Sequence, residues 1–179
     1  IVFVEVIFAI MLRVDLGDLE RTHTVGIDGC IDPDEQCFQD SSFLLYGPLE
    51  LILTASWVGL STIVVCGSCR GTVQQDCRRC LDPVKHPLDT EITLVFAPVD
   101  SLEEKDTETI GLDPRAQEID LIPYLRDEVI LEVPSFVECS VECRGLCAGC
   151  GKNLNTSECK CLSSGMDPRW DALRALQTE

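Results

Sequence analysis

From Leu49 to Val58 the chain alternates strictly. Leu49, Leu51, Leu53, Ala55 and Trp57 fall on one side, and Glu50, Ile52, Thr54, Ser56 and Val58 on the other. A period of two is that of a half-buried β-strand, which Gly59 ends. Thr62–Val65 and Gly71–Gln74 read as two further strands, with Gly67 as a bulge or bend between them. After Asp82-Pro83, Leu88, Thr90, Ile92, Leu94 and Phe96 share one face of another strand that stops before Pro98. The period then changes. Leu121, Leu125 and Val129 recur every four residues, Asp120 stands at the N-cap position, Pro123 fits the first turn and Pro134 closes the segment, which predicts a helix near 120–132. Near the C-terminus, Asp167 then Pro168, with Trp170, Leu173 and Leu176 on one stripe, predicts a short amphipathic helix.

Successive strands with short connections predict an α+β chain. Residues 11–138 would form an antiparallel β-rich domain, a meander or a curled barrel-like sheet with one main helix. Residues 139–179 would form a small Cys-rich module with the short C-terminal helix. Residues 11–45 are weakly patterned, and 100–118 read as an acidic mobile loop. The first ten residues, IVFVEVIFAI, carry Glu5, no basic n-region and no small-residue cleavage site, so they do not read as a secretory signal. They are also shorter than the ~20 residues a membrane-spanning helix needs. They read as an upstream extension ahead of Met11, with an edge strand as the alternative.

Charge changes the picture of partners. The net charge is −17, which opposes nucleic-acid binding unless the cations are segregated. Residues 1–60 hold 2 Lys and Arg against 10 Asp and Glu, and residues 101–138 hold 3 against 11. The stretches 61–100 and 139–179 are nearly neutral, with 4 against 5 and 5 against 5. Those two stretches carry most of the cysteines.

Twelve cysteines without a secretory signal predict metal ligands and free thiols in a reducing cytoplasm. The tightest set is Cys147-Ala-Gly-Cys150 followed by Cys159-Lys-Cys161, two thiolate pairs joined by a short Asn-rich loop. Each pair spans one turn, and the loop lets them face each other around a tetrahedral zinc. Cys139 and Cys143 are alternates for one of those pairs. A possible second site is Cys66, Cys69, Cys77 and Cys80, although the seven residues between its pairs read as strand and would hold them apart. Cys77-Arg-Arg-Cys80 also has a redox-dithiol reading, against which stands the lack of a strand–helix context. Cys30 and Cys37 read as structural thiols. The only histidines, His23 and His86, have no nucleophile beside them, and no phosphate-binding glycine motif is present. The chain does not read as an enzyme.

Four blocks in order resemble the YceD family, the large ribosomal RNA subunit accumulation proteins: CRRCLDPV at 77–84, EIDLIPYLRDEVILEVP at 118–134, CRGLCAGCGKNLN at 143–155 with Cys159 and Cys161, and DPRWDALRAL at 167–176. The resemblance covers residues 11–177. Cys66 and Cys69 fall outside the family pattern. The resemblance implies a cytoplasmic bacterial or plastid protein needed for accumulation of large-subunit ribosomal RNA, and a metal that is structural. On that reading Arg78, Arg79, Arg144, Lys152 and Lys160 are the cations for RNA phosphate, with Arg70 as a further candidate. The acidity points equally to a basic large-subunit ribosomal protein as partner.

Overall fold

A computed structural model describes residues 12–33, 36–59, 61–102 and 109–161. The predicted C-terminal helix at 167–176, the first ten residues and the middle of the acidic loop lie outside the described residues. The chain divides into two compact units: residues 1–75 with 84–135, and residues 76–83 with 136–179. The second unit thus draws the eight residues 76–83 together with a C-terminal stretch that begins at 136.

The first unit is β-rich. Its strands are β1 (Arg13–Asp15), β2 (Thr24–Ile31), β3 (Leu44–Leu45), β4 (Leu49–Val58), β5 (Thr62–Asp76), β6 (Pro83–Pro98), β7 (Thr109–Leu112) and β8 (Glu118–Asp120). Its helices are α1 (Leu16–Thr22) and α2 (Ile122–Glu132). A six-stranded sheet runs in the order β2-β4-β5-β6-β7, with β3 also on β5, and β1 pairs with β8 in a two-stranded sheet. Among the described residues the sheet is open, with β2 and β7 at the ends of its path, and it is mixed, not purely antiparallel, because β7 runs parallel to β6. Among the described residues there are two helices, and neither is long and apolar enough to cross a membrane.

The alternation in β4 is realised: Leu49, Leu51, Leu53 and Ala55 are all buried. In β6, Leu88, Ile92, Leu94 and Phe96 are buried on one face. Helix α2 buries Leu125 and Val129, with Leu121 buried at its cap. Each such side chain contributes about 1.5–3 kcal/mol by leaving water. Asp120 accepts a hydrogen bond from the Ile122 backbone N–H at 3.1 Å, so the residue expected to cap the helix does so from one position further out. Tyr124 meets Phe96 edge-on at 5.2 Å between ring centres.

Three expectations change. β5 is one strand, and its pairing with β4 holds a single register from Val58↔Thr62 through Leu53↔Gly67 to Glu50↔Arg70. Gly67 is not a bulge; a Cβ there would lie 2.0 Å from the Ile52 carbonyl oxygen, so only glycine lets the two backbones approach this closely. The acidic segment 100–118 contains β7 and the start of β8, because Ile110 and Leu112 pack against the core. Residues 12–45, weakly patterned in sequence, bury Val14, Leu19, Ile27, Ile31, Phe38 and Phe43.

Candidate metal centres

The second unit is organised by eight cysteines in two tetrads. Within each tetrad, Cys77, Cys80, Cys139 and Cys143 or Cys147, Cys150, Cys159 and Cys161, the four sulfurs all lie within 4.8 Å of one another. Nearest approaches are 3.8 Å for Cys77–Cys143 and 3.6 Å for Cys80–Cys139 in the first. In the second they are 3.4 Å for Cys150–Cys159 and 3.2 Å for Cys147–Cys159. Sulfurs of a tetrahedral zinc site, with Zn–S about 2.3 Å, sit about 3.8 Å apart. None of the twelve cysteines is in a disulfide.

Both tetrads begin with the same turn. Cys77 donates its backbone N–H to the Asp82 carbonyl at 2.8 Å, and Leu81 donates back to the Cys77 carbonyl at 2.9 Å. Cys147 donates to the Lys152 carbonyl at 2.8 Å, and Gly151 donates back to Cys147 at 2.8 Å. The fifth residue of each turn is left-handed, Leu81 at φ 61° and Gly151 at φ 70°. In each, the residue two after the first cysteine points its N–H at that sulfur: Arg79 to Cys77 at 3.5 Å and Gly149 to Cys147 at 3.4 Å. This turn aims both sulfurs of a Cys-x2-Cys pair at one point.

The amides of the polar loop fasten the unit. Asn153 donates to the Asp82 carboxylate at 2.6 Å, and the Asn155 side chain accepts from the Arg144 N–H at 2.8 Å while donating to the Cys143 sulfur at 3.4 Å. Leu146 donates its backbone N–H to the Arg79 carbonyl at 3.0 Å. The sequence by itself shows only that this loop is Asn-rich.

Within each tetrad the thiols do not ionise alike. Burial opposes a thiolate at Cys77, but the N–H groups of Cys80, Arg79 and Cys139 outweigh it and bring the thiol down to about 6. Cys147 comes down to about 6 chiefly because Cys159 donates to it, helped by the Cys150 and Gly149 N–H groups. Cys143 is lowered first by the Asn155 amide. Cys161 is pushed up to about 12, first because its neighbour Cys159 holds its proton in place, and Cys139 is raised through Cys143. A set of four adjacent thiols with some held ionised and others held protonated needs a dication to become four thiolates. The donor set, all soft sulfur, suits zinc.

Of the residues singled out from sequence, Cys147, Cys150, Cys159 and Cys161 are brought together. Cys139 and Cys143 replace neither of those pairs and instead face Cys77 and Cys80. Cys66 and Cys69 join neither tetrad: three apart in the extended strand β5, they point to opposite faces, Cys66 exposed and Cys69 buried among Ile63, Val65 and Val73. Burial pushes the Cys69 thiol up to about 11, with the nearby Asp89 charge adding to the shift. Arg78 and Arg79 are exposed but pair with Glu138, Arg78 through a 2.7 Å hydrogen bond and Arg79 at 4.0 Å. Arg144, Lys152 and Lys160 are exposed and, among the described residues, in no ion pair. Arg70 pairs with Asp89 at 3.1 Å in the first unit. The Cys77-Arg-Arg-Cys80 dithiol sits in a turn between two strands with both thiols buried, not at the head of a helix.

Fold and site together define a β-rich protein with a small module gathered around clustered cysteines. The chain belongs to the YceD family: residues 65–177 match the family described as Large ribosomal RNA subunit accumulation protein YceD. The match spans both tetrads. An uncharacterized protein of Mycobacterium tuberculosis is 35% identical over 112 residues, covering 62% of this chain and 54% of that protein. The chloroplastic Large ribosomal RNA subunit accumulation protein YCED homolog 1 of Arabidopsis thaliana is 35% identical over 66 residues, 37% of this chain and 21% of that protein. Its Zea mays namesake is 46% identical over 46 residues, 25% of this chain and 16% of that protein. The chain thus spans about half the length of the mycobacterial relatives it matches. No solved structure matches it. The family is named for RNA accumulation and not for a catalytic activity.

Proposed function

We propose that this chain is a non-enzymatic factor for biogenesis of the large ribosomal subunit, supporting accumulation of 23S ribosomal RNA in the cytoplasm, and that Cys147, Cys150, Cys159 and Cys161 hold a structural zinc. The family match carries this reading, since it runs through the whole cysteine module. Four thiolates around zinc leave no open position for substrate, so the metal folds the segment and does no chemistry. The uneven charge supports it. The first unit carries 7 Lys and Arg against 23 Asp and Glu, whereas the metal-bearing unit carries 7 against 8. Arg144, Lys152 and Lys160 are then the cations available to RNA phosphate, and Arg78 and Arg79 must exchange Glu138 for it.

The acidity of the first unit favours a second reading, in which a basic large-subunit ribosomal protein is held without RNA contact. One experiment separates them. In a bacterium deleted for its own family member, this chain restores the ratio of 23S to 16S RNA and the large-subunit peak on sucrose gradients; failure of an expressed, folded chain to do so overturns the proposal. Affinity for ribosomal RNA that falls steeply with salt and weakens in an Arg144→Ala, Lys152→Ala, Lys160→Ala variant supports the RNA version. Capture of a basic ribosomal protein that survives nuclease, with no RNA bound at low salt, supports the other. For the metal, Cys147→Ser lowers bound zinc by one per chain.

A further inference from the structure

The tetrad of Cys77, Cys80, Cys139 and Cys143 is a different kind of place from the C-terminal one. Cys77, Cys80 and Cys143 are 0%, 3% and 1% exposed, with only Cys139 open to solvent. In the other tetrad Cys150 and Cys161 are exposed and Cys147 and Cys159 half-buried. The buried sulfurs also collect more fixed donors. Arg79 and Cys139 give N–H groups to Cys77 at 3.5 and 3.4 Å, and the Asn155 amide gives one to Cys143 at 3.4 Å. Each such donor stabilises a thiolate ligand from outside the coordination shell.

Four sulfurs gathered together, three of them out of water, beside a turn that repeats the hydrogen bonds of its neighbour atom for atom, have no apolar reason to be there. Leu81 makes the point sharply. It takes a left-handed φ of 61° that costs a leucine energy, and the residue is 61% exposed, so packing does not hold it there. What the conformation achieves is the Leu81 N–H to Cys77 carbonyl bond that closes the turn.

We propose that Cys77, Cys80, Cys139 and Cys143 form a second zinc centre, an inner one, and that it keeps its metal when the outer centre at Cys147–Cys161 is stripped. Zinc enters with release of the remaining thiol protons and leaves four Zn–S bonds with no oxidation of sulfur. The inner centre joins the turn at 76–83 to the segment that begins at 136, which no other covalent link does. A chelator reaches the outer zinc through exposed Cys150 and Cys161. It reaches the inner one only past Cys139.

The test is metal content and metal release on the full chain. Elemental analysis gives two zincs in the wild type, one in Cys77→Ser with Cys143→Ser, and one in Cys147→Ser with Cys159→Ser. With a colorimetric chelator, wild-type protein releases one zinc quickly and the second several-fold more slowly; the slow phase is missing in the Cys77/Cys143 variant and the fast phase in the Cys147/Cys159 variant. Because loss of buried cysteines can unfold the unit, Cys139→His provides a second arm. This exposed position keeps a ligand, so the cobalt-substituted protein retains two metals but loses part of its sulfur-to-cobalt charge-transfer absorption. One zinc per chain in the wild type overturns the proposal, as does a Cys139→His spectrum identical to wild type. Two zincs released in a single phase, or the inner one first, overturn the ranking. None of these outcomes depends on ribosomal function, which complementation tests separately.

Discussion

Gly67 is the position where the sheet is least able to accept change. In Gly67→Ala the new Cβ would stand 2.0 Å from the Ile52 carbonyl oxygen and 2.8 Å from the Leu53 Cα, whereas ordinary contact begins at 3.4 Å. Both obstacles are backbone, in the middle of a ladder with unbroken register, so neither can rotate aside. β4 and β5 must separate locally. That forfeits the ladder hydrogen bonds flanking Gly67, about 1 kcal/mol each, and adds overpacking of about 1–3 kcal/mol. The lower chain entropy of alanine in the unfolded state returns about 0.5–1 kcal/mol. The net loss is about 3 kcal/mol, a large share of the roughly 5–15 kcal/mol of a domain. Urea unfolding followed by Trp57 fluorescence in a Trp170→Phe background reads this, because Trp57 lies in β4 and pairs with Ile63 on the same ladder. With an m-value of about 2 kcal/mol/M the midpoint falls by about 1.5 M. Gly26→Ala in β2 is the control: a Cβ there meets nothing within 4 Å, so it is neutral or stabilising by a few tenths to about 1 kcal/mol. Equal midpoints for the two variants would refute the close-approach argument.

Gln75 is buried, donates from its amide to the Pro134 carbonyl at 3.1 Å, and places its carbonyl oxygen 2.8 Å from His86 Nε2. Gln75→Leu keeps the bulk and strands both partners, so a loss of about 2–3 kcal/mol follows, measured by thermal unfolding. Leu81→Gly accepts the left-handed backbone and retains full metal, whereas Leu81→Pro cannot reach that φ, lacks the N–H that closes the turn, and loses one zinc by elemental analysis. Cys69, whose thiol is pushed from 9.0 up to about 11, stays protonated in the folded chain where the unfolded chain ionises. The unfolded state then binds fewer protons, so this group's contribution to stability declines as pH rises from about 9 to about 11. Iodoacetamide at pH 8 alkylates exposed Cys66 ahead of Cys69, and mass spectrometry of the peptides checks the order.

Local patterns were readable and long-range ones were not. The alternation in β4 and β6 and the four-residue stripe of α2 are decided within a few residues, by which side faces the core, and the outer tetrad is decided by pairs nine positions apart. The inner tetrad needs Cys80 to meet Cys139, 59 residues away, and no local period encodes that meeting. CRRCLDPV has the spacing of a metal turn and Cys139 and Cys143 read as alternate ligands, but nothing local joins the two pairs. Cys69 stands apart from both tetrads for the opposite reason. Its spacing from Cys66 looked like a ligand pair, but its parity matches Ile63, Val65 and Val73, and parity decides the face in a strand. The parallel strand β7 was hidden because four residues flanked by acids carry too few apolar positions to establish a period.

The discontinuity of the cysteine module sets an order of events during synthesis. Cys77 and Cys80 leave the ribosome roughly 60 residues before Cys139 and Cys143, so the early dithiol travels through the nascent stage without its counterpart. The outer tetrad, by contrast, is complete within a stretch of fifteen residues and closes almost as it emerges. A messenger truncated after α2 but before Cys139 would yield a chain whose strands are all present but whose first turn has nothing to clasp. Completion of the C-terminal module is therefore also the step that reports, to the chain itself, that translation has run past residue 143.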